Sequence, residues 1–120
     1  MKYIALIYSA EETQPAYGSP EFGAQMASYK VATDTYVKDG VMRGGEALHP
    51  ATTATTVRVR KGKIETLDGP FAETKEQLGG FYIFECANLD DAIKYAALIP
   101  GAVKGSVELR PVMEIDYDKS

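Results

Sequence analysis

The segment DGPFAETKEQLGGF, residues 68–81, decides the fold because it joins a turn, a polar loop and a buried strand. Gly69 and Pro70 predict the turn, since proline fixes φ and glycine adopts conformations that other residues avoid. Charged residues then alternate with small ones until two glycines open an apolar run at Phe81. We expect a charged loop that enters a buried strand and holds polar side chains at the rim of a pocket.

The remaining chain is predicted to form a β-α-β unit, a hairpin and a second β-α-β unit. Ser19 and Pro20 predict the start of the first helix, and Lys61-Gly62 predicts a two-residue hairpin turn. Asn88 predicts the cap of the second helix, which Pro100 ends. The expected strands are residues 2–8, 41–48, 53–60, 63–67, 80–86 and 107–115, and the first helix is expected over about 20–39.

This order predicts a single α+β domain over residues 1–120, with a ferredoxin-like antiparallel sheet and two helices on one face. The helix faces expected in the core are Phe22, Met26, Tyr29, Tyr36 and Val37 in the first helix, and Leu89, Ile93, Ala96 and Ala97 in the second. The other face of the sheet also carries apolar groups. We therefore expect a homodimer that forms through this open face.

Composition narrows the function classes. The net charge is -4 and the sequence pI is near 5.0, which argues against direct nucleic-acid binding and against anionic membranes. The single Cys86 excludes an internal disulfide, suits a reducing cytoplasm and is expected to be a buried structural thiol. The apolar start of the chain is too short for a signal peptide or a membrane span. These features predict a cytoplasmic protein.

His49 and Asp68 are the candidate catalytic pair. A regular hairpin around Lys61-Gly62 places Thr55 opposite Asp68, and His49 lies six positions before Thr55, so the two side chains can meet at its open end. A carboxylate on one ring nitrogen would fix the histidine tautomer and make the other nitrogen a general base. The alternative is structural, with His49 capping a loop and Asp68 forming an Asx-turn.

Four further residues are assigned to substrate binding: Tyr8, Phe71, Glu73 and Lys75. Lys75 could hold a substrate carboxylate, Glu73 could position the loop, and Tyr8 leaves the first strand near the same pocket. Two alternative interpretations remain open: Glu73 and Lys75 could belong to a charged surface turn, and Tyr8 could be a core residue. One histidine and one cysteine cannot build an ordinary zinc site, and no phosphate or dinucleotide loop is present. No cofactor or metal is expected.

The sequence resembles the YCII-related family, in the branch of DGPF-domain proteins. The matching segments are Tyr3 to Tyr8, Leu48-His49-Pro50, Thr55 to Arg58, Asp68 to Glu76, Gly79 to Phe81 and Arg110-Pro111. The resemblance implies a dimeric α/β barrel and favours the His49–Asp68 pair. It also implies cofactor-free proton transfer next to a carbonyl or lactone, as in chloromuconolactone dehalogenase of this family and in muconolactone isomerase of the same fold.

The leading hypothesis is a small enzyme with a His-Asp pair that acts on a lactone- or carboxylate-like organic molecule. A second hypothesis is a non-catalytic ligand-binding or regulatory dimer, since DGPF-type proteins are often encoded beside sigma factors of stress circuits. A third is a cofactor-free monooxygenase, for which the support is analogy of fold.

Overall fold

Six strands and three α-helices make up the chain in the computed structural model, which describes residues 1–119. The strands are β1 (Lys2–Ser9), β2 (Met42–Ala47), β3 (Thr55–Arg60), β4 (Lys63–Asp68), β5 (Gln77–Glu85) and β6 (Ser106–Pro111). The helices are α1 (Pro20–Lys38), α2 (Leu89–Ala96) and α3 (Gly101–Lys104), and 3-10 turns cover Glu11–Thr13, Ala51–Thr53 and Tyr117–Lys119.

Four of the strands form one antiparallel sheet in the order β2-β5-β1-β6, while β3 and β4 form a separate hairpin. The connection from β1 to β2 runs through α1 and leaves room for β5 between these two strands. The connection from β5 to β6 runs through α2 and α3 and leaves room for β1, and together the two connections give the ferredoxin-like arrangement. The predicted α+β class is therefore confirmed. The sheet of the chain is open, and α3 is a third helix that the sequence did not predict.

The core lies between the sheet and the helices. Tyr3, Ala5 and Ile7 of β1 are buried, whereas the residues between them are only half-buried, because successive side chains of a strand point to opposite faces. Tyr36 of α1 packs edge-on against Phe84 of β5, with their ring centroids 4.7 Å apart. All three helices pack on this face, since α1 and α2 supply the buried core residues and α3 reaches the Ile7 side chain.

Helix α1 begins where the sequence predicted. The side chain of Ser19 accepts a hydrogen bond from the amide of Phe22 at 3.1 Å, and Pro20 occupies the first turn. The predicted buried face is partly wrong, because Met26 is 41% and Val37 64% exposed, and the buried residues of the helix are Ala32 and Tyr36. Tyr36 determines which side of α1 faces the sheet, since its ring fills the centre of the core.

Helix α2 is capped by Asn88, whose side-chain oxygen accepts from the amide of Asp91 at 2.9 Å. Its predicted buried face is partly wrong, because Ala96 is buried as expected whereas Ala97 is exposed. Leu89 and Ile93 are about half exposed, and the buried residues are Ala92 and Ala96. The alanines allow the helix backbone to approach the sheet closely, which a face of larger side chains would prevent. The pattern of large apolar residues therefore pointed to the wrong side of this helix.

The glycines of β2 lie where its backbone comes close to β5. The register shifts between Met42 and Gly44, so the strand contains the bulge or irregularity that the sequence predicted. A Cβ atom on Gly45 would lie 3.0 Å from the carbonyl oxygen of Phe81. At the other edge, β6 ends at Pro111, earlier than the predicted residue 115, because proline has no amide to donate to the ladder.

The hairpin has the register that the sequence predicted. Lys61 and Gly62 both have positive φ, at 52° and 75°, which is the type I′ turn that matches the twist of two antiparallel strands. Arg60 pairs with Lys63 and Thr55 pairs with Asp68.

Cys86 is buried in the core, as expected, and its burial raises the pKa of the thiol. Among the helices of residues 1–119, none combines the length and hydrophobicity needed to cross a bilayer.

Candidate functional site

A solvent-open groove of about 310 Å³ lies where three connecting segments meet. The segments are the 3-10 turn after β1, the 3-10 turn after β2 and the loop between β4 and β5. Its charged and polar lining comprises Glu11, Glu12, Thr52, Glu73, Thr74, Lys75 and Gln77. The groove is thus built from loops that the central strands β1 and β5 position at one end of the sheet.

A side-chain hydrogen bond joins the first two segments. The carboxylate of Glu11 accepts from the backbone amide of Ala51 at 2.5 Å, across 40 residues of sequence. A bond to an ionised acceptor is stronger than one between neutral groups. Glu11 therefore fixes the turn that follows His49 against the loop that follows β1.

The third segment is held by its own hydrogen bonds. The side-chain amide of Gln77 donates to the carbonyl oxygens of Thr74, at 3.0 Å, and of Ala72, at 3.3 Å. The hydroxyl of Thr74 donates to the carbonyl oxygen of Glu76 at 2.5 Å, and the Glu76 carboxylate accepts from the hydroxyl of Ser106 of β6 at 3.1 Å. These bonds give the charged loop a defined shape without burying it.

His49 lies two residues after the end of β2, and it is exposed. The backbone beside it is fixed, because the amide of Leu48 donates to the carbonyl oxygen of Gly79 at 2.9 Å. Asp68 is the last residue of β4 and is also exposed. Within residues 1–119 of the single chain, no hydrogen bond or ion pair joins His49 to Asp68. The pair stays a prediction.

The four predicted substrate-binding residues fall into two groups. Glu73 and Lys75 line the groove together. Tyr8 is half-buried near the end of β1, where the strand alternation places it on the face away from the helices, and Phe71 is 77% exposed on the loop. Neither Tyr8 nor Phe71 lines the groove. The structure therefore brings Glu73 and Lys75 together and leaves the other two apart from them.

Several groove residues were not predicted from the sequence. Glu11, Glu12 and Thr52 belong to connecting segments without a motif, and Gln77 begins a strand. The pair of acids directly after the first strand was the one local signal. Their position became visible only with the Glu11–Ala51 bond, because that contact joins distant parts of the chain.

The charges in the groove are mainly negative. Three carboxylates, on Glu11, Glu12 and Glu73, face one ammonium group on Lys75. This balance favours a neutral or cationic ligand over a carboxylate, because like charges repel. The described chain contains no group of three His, Cys, Asp or Glu side chains placed to hold a metal ion.

Comparison with known proteins identifies a protein family and a relative of similar length. Residues 1–116 match the family model of the YCII-related domain. An uncharacterized protein of Rhizobium meliloti (strain 1021) is 39% identical over 114 residues, which cover 93% of this chain and 92% of that protein.

Proposed function

This chain belongs to the YCII-related family, and on that premise we propose that it binds a small organic molecule and performs acid–base chemistry on it with His49. The observation that supports the proposal is the closeness in sequence of the two candidate residues to the groove lining. His49 lies two positions before Ala51, and Asp68 lies two positions before Pro70, and both Ala51 and Pro70 line the groove. Both side chains are exposed and therefore accessible to a ligand.

The proposed roles follow from the chemistry of the two groups. A neutral imidazole accepts a proton from a carbon next to a carbonyl or lactone, and the imidazolium that forms returns it at a second position of the same molecule. Asp68 would accept a hydrogen bond from the other ring nitrogen, which holds one tautomer and stabilises the imidazolium. The hydroxyl of Thr52 and the ammonium of Lys75 would donate hydrogen bonds that orient the ligand, and the hydroxyl of Thr74, whose proton is donated to the Glu76 carbonyl oxygen, would accept one.

The experiment that tests this proposal is nitrogen NMR of the His49 ring at a pH where the imidazole is neutral. The chain has one histidine, so the ring signals need no assignment. We expect one tautomer in the wild-type protein and a mixture in Asp68→Asn. Glu65→Gln is the matched control, because it removes a carboxylate from the same hairpin on the opposite face. Equal tautomer populations in wild type and Asp68→Asn would remove the basis for the pair.

A second candidate function is ligand binding without turnover. The observation in its favour is that neither His49 nor Asp68 lines the groove itself. A panel of small lactones, polyols and amines, screened by NMR shift changes at Thr52 and Thr74, separates the two functions. Unchanged affinity in His49→Ala, together with the absence of any conversion by the wild-type protein, would favour the binding protein.

We also propose that the functional unit is a homodimer formed through the open sheet face. The centre of this face carries Ile4, Leu6, Phe81 and Ile83, which lie opposite one another in two cross-strand pairs. The chain is 19 Å thick along its shortest axis, which fits one helix layer on one sheet layer and leaves the second face uncovered. Sedimentation equilibrium should give twice the 13.0 kDa of the chain.

A further inference from the structure

Gly79 interrupts the regular pairing of β1 with β5. Ile7 pairs with Gly80, but the next residue, Tyr8, pairs with Leu78, so Gly79 is an extra residue on β5. A shift of one residue moves the side chains beyond it to the other face of the sheet, and such bulges are common beside functional sites. The two glycines that follow the charged loop in the sequence therefore include a bulge at the end of β5 that borders the groove.

The bulge determines on which face of the sheet Gln77 lies. In an uninterrupted strand Gln77 would share the open face with Phe81 and Ile83, because side chains alternate. With the extra residue it pairs with Ser9, and residues directly opposite each other share a face. Ser9 continues the row of Tyr3, Ala5 and Ile7, so Gln77 lies on the side of the sheet that the helices cover.

The side-chain amide of Gln77 holds the backbone on both sides of Glu73. Its nitrogen donates to the carbonyl oxygen of Thr74 at 3.0 Å and to that of Ala72 at 3.3 Å. An amide nitrogen has two N–H groups, so both donors have an acceptor. The amide oxygen accepts no hydrogen bond from residues 1–119. Gln77 also lines the groove itself.

The loop that Gln77 holds forms much of the groove. Residues 70–77 supply five of its nine lining residues, among them the charged Glu73 and Lys75. Both of these side chains are exposed and make no ion pair within residues 1–119. A loop that has its bound shape before a ligand arrives loses less conformational entropy on binding, which raises affinity.

The same bulge holds the opposite wall of the groove. The carbonyl oxygen of Gly79 accepts from the amide of Leu48 at 2.9 Å, directly before His49. One irregularity in β5 thus fixes the backbone beside His49 and, through Gln77, the backbone beside Glu73.

We propose that Gln77 is a positioning residue for ligand recognition in the groove. It fixes the loop so that Glu73 and Lys75 are in place before a ligand binds. The inference rests on the proposed function, which makes the groove the ligand site, and it commits to a small molecule with an ammonium group, since the groove charges are mainly negative.

Gln77→Glu separates positioning from charge. The substitution keeps the size of the side chain and a free oxygen, and it adds a negative charge to the groove. Its oxygens would repel the carbonyl oxygens of Ala72 and Thr74 that the amide now binds. A residue that acted only through its oxygen or its charge would bind a cation more tightly as glutamate. The positioning role predicts the opposite sign.

The probe is butylammonium, and the measurement is the NMR shift of the Thr52 amide, which lies on the wall that the substitution leaves unaltered. We expect Gln77→Glu to weaken binding roughly tenfold, the cost of ordering one or two side chains when the ligand binds. Gln77→Met, which removes both donors without a charge, should also weaken it. Nitrogen relaxation of the amides of residues 72–76 should show greater mobility in both variants.

Gln25→Glu is the matched control, because it makes the same change of charge in helix α1 at a residue that does not line the groove. It should change the affinity by less than about twofold, since solvent and salt screen the distant charge. Circular dichroism checks that the variants remain folded. Equal or tighter binding of butylammonium by Gln77→Glu, or no binding by the wild-type protein, overturns the inference. The His49 tautomer measurement needs no ligand and decides the catalytic proposal separately.

Discussion

The backbone amide of Gly69 donates a hydrogen bond to the carbonyl oxygen of Ala54 at 2.7 Å, which closes the base of the β3–β4 hairpin. The hydroxyl of Thr56 donates to the carbonyl oxygen of Gly69 at 2.8 Å. Gly69 has φ of +100°, a conformation that residues with a Cβ atom rarely adopt. The path of the chain from the hairpin into the charged loop therefore depends on this glycine.

Gly69→Ala should destabilise the protein by about 1–2 kcal/mol. No atom lies within 4 Å of the position of the new Cβ, so the cost arises from backbone strain and not from a clash. Gly23→Ala is the matched control, because Gly23 lies in helix α1 with equally open space and ordinary helical geometry. The control should stabilise the protein by about 0.5–1 kcal/mol. Urea unfolding measures both, and equal effects of the two substitutions would contradict the prediction.

Glu11→Ala should loosen the turn that follows His49. The substitution removes the carboxylate that accepts from the Ala51 amide. A hydrogen bond worth about 1–1.5 kcal/mol corresponds to roughly tenfold faster exchange of that amide with solvent. Glu12→Ala is the control, since the neighbouring residue is exposed and also lines the groove but does not bond Ala51. Unchanged exchange of the Ala51 amide in Glu11→Ala would show that the turn is held by other contacts.

At alkaline pH, the Tyr36→Phe variant should lose less stability with rising pH than the wild-type protein does. Burial raises the pKa of Tyr36 above its ordinary value, and its hydroxyl donates to the carbonyl oxygen of Tyr95 at 2.8 Å. The contribution is complete below about pH 10, where tyrosine is neutral in the unfolded chain as well. Above that pH the unfolded chain loses the proton first, so stability falls as the pH rises toward the pKa of the folded state.

Urea unfolding of Tyr36→Phe at pH 7 and between pH 10 and 11 measures this effect. At pH 7 the loss should be small, about 0.5–1 kcal/mol, because the amide of Leu98 also donates to the Tyr95 carbonyl oxygen at 3.1 Å. In the alkaline range the slope of stability against pH should shrink by up to about 1.4 kcal/mol per pH unit. Tyr17→Phe, at a position 91% exposed, should leave the slope unchanged. If stability fell with pH at the same slope in Tyr36→Phe and in the wild-type protein, deprotonation of Tyr36 would not contribute to the alkaline loss of stability.

The elements of the fold could be predicted because their signals are local. The cap at Ser19 lies three residues from the amide that it accepts from, and the Lys61-Gly62 turn specifies its own φ angles. The apolar runs in β1 and β5 predicted strands, although only the structure shows which of their residues are buried. The buried side of α2 was predicted only in part, at Ala96, because it depends on how closely the small residues Ala92 and Ala96 approach a sheet formed by distant strands.

The candidate site likewise has features that the sequence predicts and features that only the tertiary structure shows. The sequence by itself identified the charged loop, placed Thr55 opposite Asp68 and marked Glu73 and Lys75, since each follows from a turn or from strand pairing. Only the tertiary structure placed Glu11 beside Ala51, left the apolar side chains of the hairpin exposed and kept His49 unbonded to Asp68 in the single chain. The physical reason is that turns and caps are determined by neighbours in sequence, whereas burial and long-range hydrogen bonds depend on surfaces that folding brings together.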